Sequence, residues 1–214
     1  MFKGGIEVKR RAVIFFTAVM LVFSSFNAFA DEKKVVSSRE EYDGYYFETE
    51  YVVLDSTEYK MADEINKAVE VRINAGKEEI AQWENDFIEY VPPMELSYIA
   101  DGEVYENESF ISYVLTSHNY TGGAHGYYWN STFVGNKAKD KVIKFSGIFK
   151  KPIYLYARDF KPMIMEKINE APECYYPEVY DTLLKLSLEN KFYIDENGKV
   201  IVYFNPYEIA PYAA

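Results

Sequence analysis

The sequence predicts an α+β fold: an antiparallel sheet of consecutive hairpins covered by a long N-terminal helix and shorter C-terminal helices. Three observations carry this. A strand-like segment is followed by one long stretch whose apolar residues recur at threes and fours. Several short alternating runs come next, separated by Gly, Asn and Asp turns. The chain then returns to helical spacing and closes on a hairpin and a proline-containing tail. Strands and helices grouped in this way indicate helices packed on one antiparallel sheet.

In chain order, Lys9-Arg10-Arg11 form a basic flank, Ala12 to Phe26 an apolar run and Ala28-Phe29-Ala30 a small-x-small site, the three parts of a signal peptide over residues 1–30. The uncharged run to Ala30 is near the lower limit of the about 17–25 residues that span a bilayer. The abrupt polarity of Asp31-Glu32-Lys33-Lys34 favours cleavage over anchoring. The only cysteine is Cys174, so no lipobox cysteine follows and no intrachain disulfide can form. The expectation is an exported protein, periplasmic or extracellular, with no stable membrane anchor after signal cleavage. Its formal charge of −11 becomes −14 once Lys3, Lys9, Arg10, Arg11 and Glu7 leave with the signal. Such a surface repels nucleic acid and attracts cationic partners. Stability must then come from a core, and Cys174 is expected as a small buried hydrophobe or an incidental thiol.

Asp31 to Glu41 is polar and reads as a flexible leader. Tyr45 to Leu54 alternates around Phe47, Tyr51 and Val53, a strand, and Asp55-Ser56-Thr57 supply helix-start chemistry. From Met61 to Tyr90, Ile65, Val69, Ile73, Ile80, Trp83 and Phe87 form the stripe of an amphipathic helix, opposite Asp63, Glu64, Lys67, Glu70, Lys77 and Glu78. Gly76, which costs about 1 kcal/mol relative to alanine in a helix, marks where it can bend, and Pro92-Pro93 ends it. Met94 to Ala100 and Val104 to Tyr105 flank the turn residues Asp101-Gly102. Ser109 to Ser117, Tyr127 to Val134 and, after a turn at Gly135-Asn136, Lys141 to Phe145 continue the hairpins. Asp159 to Ala171 reads as a second helix with Pro162 in its first turn. Tyr180 to Glu189 reads as a third, on which Leu183, Leu184, Leu186 and Leu188 can share one face. Lys191 to Ile194 and Lys199 to Phe204 form a hairpin around Asp195-Glu196-Asn197-Gly198.

The most distinctive stretch runs from Asn119 to Tyr128, where three glycines and one of the two histidines lie between aromatic strands. Glycine at that density signals positive φ or a close backbone approach. Tyrosine, at 21 residues, is the compositional outlier, and its apolar body and polar tip suit binding surfaces as well as strand faces. The candidate ligand-binding residues are Tyr120, Gly122, Gly123, His125, Gly126, Tyr127, Asn130 and Tyr207. Metal ligation is not expected, because His118 and His125 are the only histidines and no H-E-x-x-H or cysteine pair exists. G-x-S-x-G is absent, no cofactor motif occurs and no residue is singled out as catalytic. His125 has a structural role open to it, a hydrogen bond that fixes the glycine turn, and Asn130 a similar one.

Four features coincide: Tyr120-Thr121-Gly122-Gly123-Ala124-His125-Gly126, Asn130, the Phe192 to Phe204 hairpin, and Asn205-Pro206-Tyr207-Glu208-Ile209-Ala210-Pro211-Tyr212-Ala213. Together they resemble the extracytoplasmic domain of the lysozyme-sensing anti-sigma factor of Gram-positive bacteria and of many exported proteins. The part from about Tyr45 to Tyr113 resembles the domain that accompanies it, also found ahead of the catalytic domain of a peptidoglycan deacetylase. The resemblance divides the chain into residues 1–30, a part over 31–116 and a second domain over 117–214 that lacks the family's last strand. No sigma-binding segment is present, and the deacetylase's catalytic domain does not fit in this length. What the resemblance implies is a non-enzymatic exported envelope protein that binds a cationic, lysozyme-like protein or a cell-wall glycan. The competing expectation is a hydrolase of wall sugars that uses His125 with a nearby carboxylate, Asp140 or Glu208, and it requires the two within hydrogen-bond reach.

Overall fold

The structure is a computed structural model that describes residues 34–87, 95–149 and 153–212. The signal peptide and the Pro92-Pro93 stop lie outside these residues. Strand β1 (Lys34–Glu41) pairs antiparallel with β2 (Tyr45–Val53), and helix α1 (Lys60–Phe87) then carries the chain across the sheet. Strands β3 (Leu96–Glu106), β4 (Phe110–Tyr120), β5 (Tyr127–Asn136) and β6 (Lys141–Ile143) follow as an antiparallel series. The six lie side by side in chain order. The sheet is nevertheless mixed rather than wholly antiparallel, because β2 and β3 run parallel. A crossover helix between neighbouring strands returns the chain to the same edge, which makes them parallel.

The expected leader is a strand. β1 is polar because it is a sheet edge, and its hydroxyls pair across to β2, Ser38 with Thr49 at 2.8 Å and Ser37 with Glu50 at 3.1 Å. Lys77 of α1 ties it down with a 2.5 Å ion pair to Glu40.

One face of the sheet is sealed by α1. Ile65, Val69, Ile73 and Ile80 are buried against Phe47, Leu96, Tyr98, Ala100, Tyr113 and Leu115. Burying each such aliphatic side chain stabilises the fold by about 1.5–3 kcal/mol. The helix is not interrupted at Gly76, where the Tyr98 ring lies against the backbone and leaves no room for a β-carbon.

Asp101-Gly102 is not a turn but the middle of β3. Tyr113 reaches over β3 at Gly102, where a β-carbon would lie 2.4 Å from its hydroxyl. That hydroxyl donates to Val52 O at 2.9 Å and accepts from Val52 N at 3.1 Å. Burial pushes the Tyr113 phenol pKa well above its ordinary value. Gly135-Asn136 likewise stays within β5, and the reversal is a 3-10 turn over Lys137–Lys139 capped by Asn136.

Helix α2 (Ile153–Glu170) starts earlier than Asp159, so Pro162 lies inside it. Helix α3 (Val179–Lys185) is short. Leu183 is buried while Leu184 is 68% exposed, so the four leucines do not share one face. Ile164 and Ile168 of α2 and Val179 and Leu183 of α3 pack on Phe204 and Ile209 of the tail. The C-terminal helices thus brace the tail, while Phe160 joins Val134, Phe145, Phe192 and Ile194 in a separate small core. Strands β7 (Phe192–Ile194) and β8 (Val200–Val202) form their own two-stranded sheet. Cys174 is exposed, not buried, because it lies in a surface 3-10 turn over Pro172–Cys174.

Candidate functional site

The side chains of a strand alternate between faces, so the register sorts the candidate residues. Asn119 of β4 pairs with Tyr127 of β5, and both face α1. Their neighbours His118 and Tyr128 pair with each other on the opposite face. That face is the one on which β7 docks, through the Ser112 hydroxyl accepting from Ile194 N at 2.9 Å.

The glycine loop joins β4 to β5. Gly122 has φ +87, and at Gly126 a β-carbon would lie 2.6 Å from Asn119 O. At Gly123 a β-carbon would meet only His125 O, at an ordinary contact distance of 3.7 Å. Tyr120 donates its hydroxyl to Gly123 O at 3.1 Å. The His125 Nδ1 lies 2.8 Å from Gly126 O and therefore carries the proton that it donates. The imidazole stacks on Tyr212 of the tail, ring centres 4.4 Å apart and 16° from parallel. Tyr212 also meets Tyr128 edge-on at 6.1 Å and Tyr207 at 6.0 Å, and Tyr128 meets His118 at 5.8 Å. His118, Tyr128, Tyr212, His125 and Tyr207 thus form a continuous aromatic shelf from the sheet to the loop.

The tail is held in place from beneath. Asn205 Oδ1 accepts from Asn130 N at 2.7 Å, and Asn205 Nδ2 and the Tyr203 hydroxyl donate to Asn130 O at 3.3 and 3.2 Å. The Asn130 side chain accepts from Thr116 Oγ1 at 2.8 Å. Glu208 closes the turn by accepting from Asn205 N at 2.9 Å and pairing with Lys191. Within this turn Tyr207 adopts φ +66, a left-handed conformation uncommon for a residue with a β-carbon, and is 50% exposed. Beside it lies a groove of about 290 Å³ lined by Tyr128, Tyr175, Phe204, Pro206, Pro211 and Tyr212.

On the same sheet face, β2 and β3 expose Glu48, Glu50, Asp101 and Glu103. Burial and the neighbouring Glu103 and Glu50 raise the Asp101 pKa, with His118 opposing. The shelf therefore adjoins an acidic strip. Among the described residues no group of three or more metal-ligating side chains is placed to hold an ion, and no helix is long and apolar enough to cross a membrane.

Of the candidate residues, the structure brings His125 and Tyr207 together through Tyr212. It puts Tyr127 on the other face and Asn130 in the clasp beneath the tail. Tyr128, Tyr212 and His118 complete the shelf without having been singled out as contacts. Strict alternation would have flagged Tyr128 and His118 as partners of one face, whereas nothing local places Tyr212 beside His125.

Residues 38–128 match the family model described as Deacetylase PdaC, and residues 146–214 match the model described as a protein of unknown function, DUF3298. Two family models thus match successive parts of this chain. They support the part of the resemblance that pairs a deacetylase-associated domain with a second domain of unknown function. No curated protein sequence matches. Among solved structures the chain is similar to a DUF3298 family protein from Pseudomonas aeruginosa PAO1, at 15% identity and TM-score 0.53, covering 85% of each chain. It is also similar to a DUF3298 family member from Bacteroides fragilis, at 16% identity and TM-score 0.50, covering 92% of this chain and 86% of that one. At such identities the likeness is one of fold. The PdaC match ends inside β5, so the six-stranded sheet extends beyond it.

Proposed function

We propose that this chain is a non-enzymatic, exported binding protein of the bacterial cell envelope, and that it takes a cationic, lysozyme-like protein against the shelf and the acidic strip. The observation that carries the reading is the placement of an exposed aromatic shelf beside Glu48, Glu50, Asp101 and Glu103 on one sheet face. Aromatic side chains supply contact area at low entropic cost, and complementary charge speeds encounter and fixes orientation. The net charge of −11 favours the same class of partner. A protein suits this surface better than a neutral glycan, which would gain little from four carboxylates. The hydrolase reading lacks its geometry. His125 Nδ1 bonds within its own loop, Asp140 accepts from Met61 N at the start of α1 at 3.0 Å, and Glu208 pairs with Lys191.

The test is calorimetric titration of the protein with a basic lysozyme at low and at physiological salt. The expected result is a single-site interaction that persists at physiological salt and weakens at least about tenfold in Tyr212→Ala. Binding erased by physiological salt, where exposed charges are screened beyond about 8 Å, and indifferent to Tyr212→Ala would reject the reading.

A further inference from the structure

The opposite face of the sheet holds a polar group with no explanation in the fold. Asn119 is 2% exposed, and its Oδ1 and Nδ2 make no hydrogen bond. Buried side-chain amides are almost always satisfied, so one left open calls for a partner. It lies between Tyr98 of β3 and Tyr127 of β5, its register neighbours. Trp129, half-buried, has its ring 5.3 Å from that of Tyr127 and 6.4 Å from that of Tyr98. Tyr127 is 39% exposed and is the cover of the site. Burial and then Glu79 of α1 raise the Tyr127 phenol pKa, while the Asn119 amide lowers it, so the hydroxyl faces both groups, though it falls short of hydrogen-bond geometry to the amide.

We propose that Asn119 is the floor of a carbohydrate-binding subsite, walled by Trp129 and Tyr127 and rimmed by Glu79, which opens when the Tyr127 ring swings outward. The chemistry selects the ligand. The rings offer faces to the apolar C–H side of a sugar, the amide supplies one donor and one acceptor to a hydroxyl or acetamido group, and the carboxylate accepts a hydroxyl proton. An anion is disfavoured by Glu79, and a purely apolar ligand would leave the amide as unpaired as before. This subsite is separate from the shelf and does not depend on the partner proposed there.

Both tryptophans of the chain, Trp83 and Trp129, border the core under α1, so intrinsic fluorescence reports on the subsite. The purified protein is titrated with tri-N-acetylchitotriose and, separately, with cellotriose. The expected result is a saturable change with at least one of them at millimolar concentration or below. Asn119→Leu, which removes the amide at similar volume, should lower the affinity at least about tenfold while the melting temperature holds or rises. Glu79→Gln, at an exposed helix position, should lower it about fivefold and carries the test should Asn119→Leu fail to fold. No saturable change up to about 10 mM of either sugar, the weak end of specific affinity, overturns the proposal, as does a saturable change equal in both variants. Asn119 would then hold an internal water only.

Discussion

The two faces of the sheet are closed by apolar burial and directional bonding in different proportions. Under α1 the contact is mainly apolar, with aliphatic residues of one helix packed on a cluster drawn from β2, β3, β4, β5 and β6. On the other face a smaller core of Val134, Phe192 and Ile194 is joined by directional bonds that locate the C-terminal part: Ser112 to Ile194, Asn130 to Asn205, Thr132 and Tyr203 beside Asn190. Area burial tolerates small shifts in position, whereas hydrogen bonds fix register to a fraction of an ångström. The first face therefore carries the larger core, and the bonds of the second place the shelf. The tail is therefore expected to be released without unfolding the sheet.

The largest expected effect falls on the face under α1. Ile80→Ala, at a fully buried position, should destabilise the whole protein by about 2–5 kcal/mol in urea unfolding, with all probes moving together. Next comes Tyr113→Phe, which leaves Val52 N and O without their shared partner. A loss of about 1–3 kcal/mol in the same assay is expected, again global. Asn205→Ala sharpens the contrast: about 1 kcal/mol of global stability at most, but fast amide exchange across residues 205–212 and loss of the His125–Tyr212 stack. An Asn205→Ala protein that unfolds as readily as Ile80→Ala would dissolve the distinction between the faces.

The smallest effect per group is alkaline. The Tyr98, Tyr113 and Tyr203 phenols are raised mainly by burial, Tyr42 to about 12 by burial and Glu40, and Tyr105 to about 12 by its bond to Glu103. A folded pKa above the unfolded one means that the stability is fully present below about pH 10, where free tyrosine ionises. It declines as the pH rises from there through about 12. Melting temperature against pH, with phenolate absorbance in parallel, should show a fall confined to that window. A flat profile would mean that the phenols are solvated.

Much of this architecture was legible because period and punctuation are local. The α1 stripe from Ile65 to Ile80 and the Asp195 to Gly198 turn follow directly from spacing. Strand direction is not local, so the parallel pairing of β2 with β3 could not be read. β1 was missed because an edge strand that faces water on one side needs little apolar residue, and Ser37, Ser38 and Glu40 read as leader. Asp101-Gly102 has turn composition, yet its glycine makes room for Tyr113, which lies on the neighbouring strand. At the site, the glycine loop stood out in the sequence, whereas the stacking of His125 on Tyr212 depends on the Asn130–Asn205 clasp across 75 residues.

The parallel pairing sets the order in which the molecule assembles. β3, β4 and β5 are joined by short connections and can zip as the chain collapses. The β1–β2 hairpin is expected to be added only once α1 has been laid across the sheet. Non-local closures of this kind are slow, since the entropy of the loop is lost before the contacts form. Until then β3 presents an open edge, so the interval in which the chain is most prone to self-association is expected to end when β2 pairs with it.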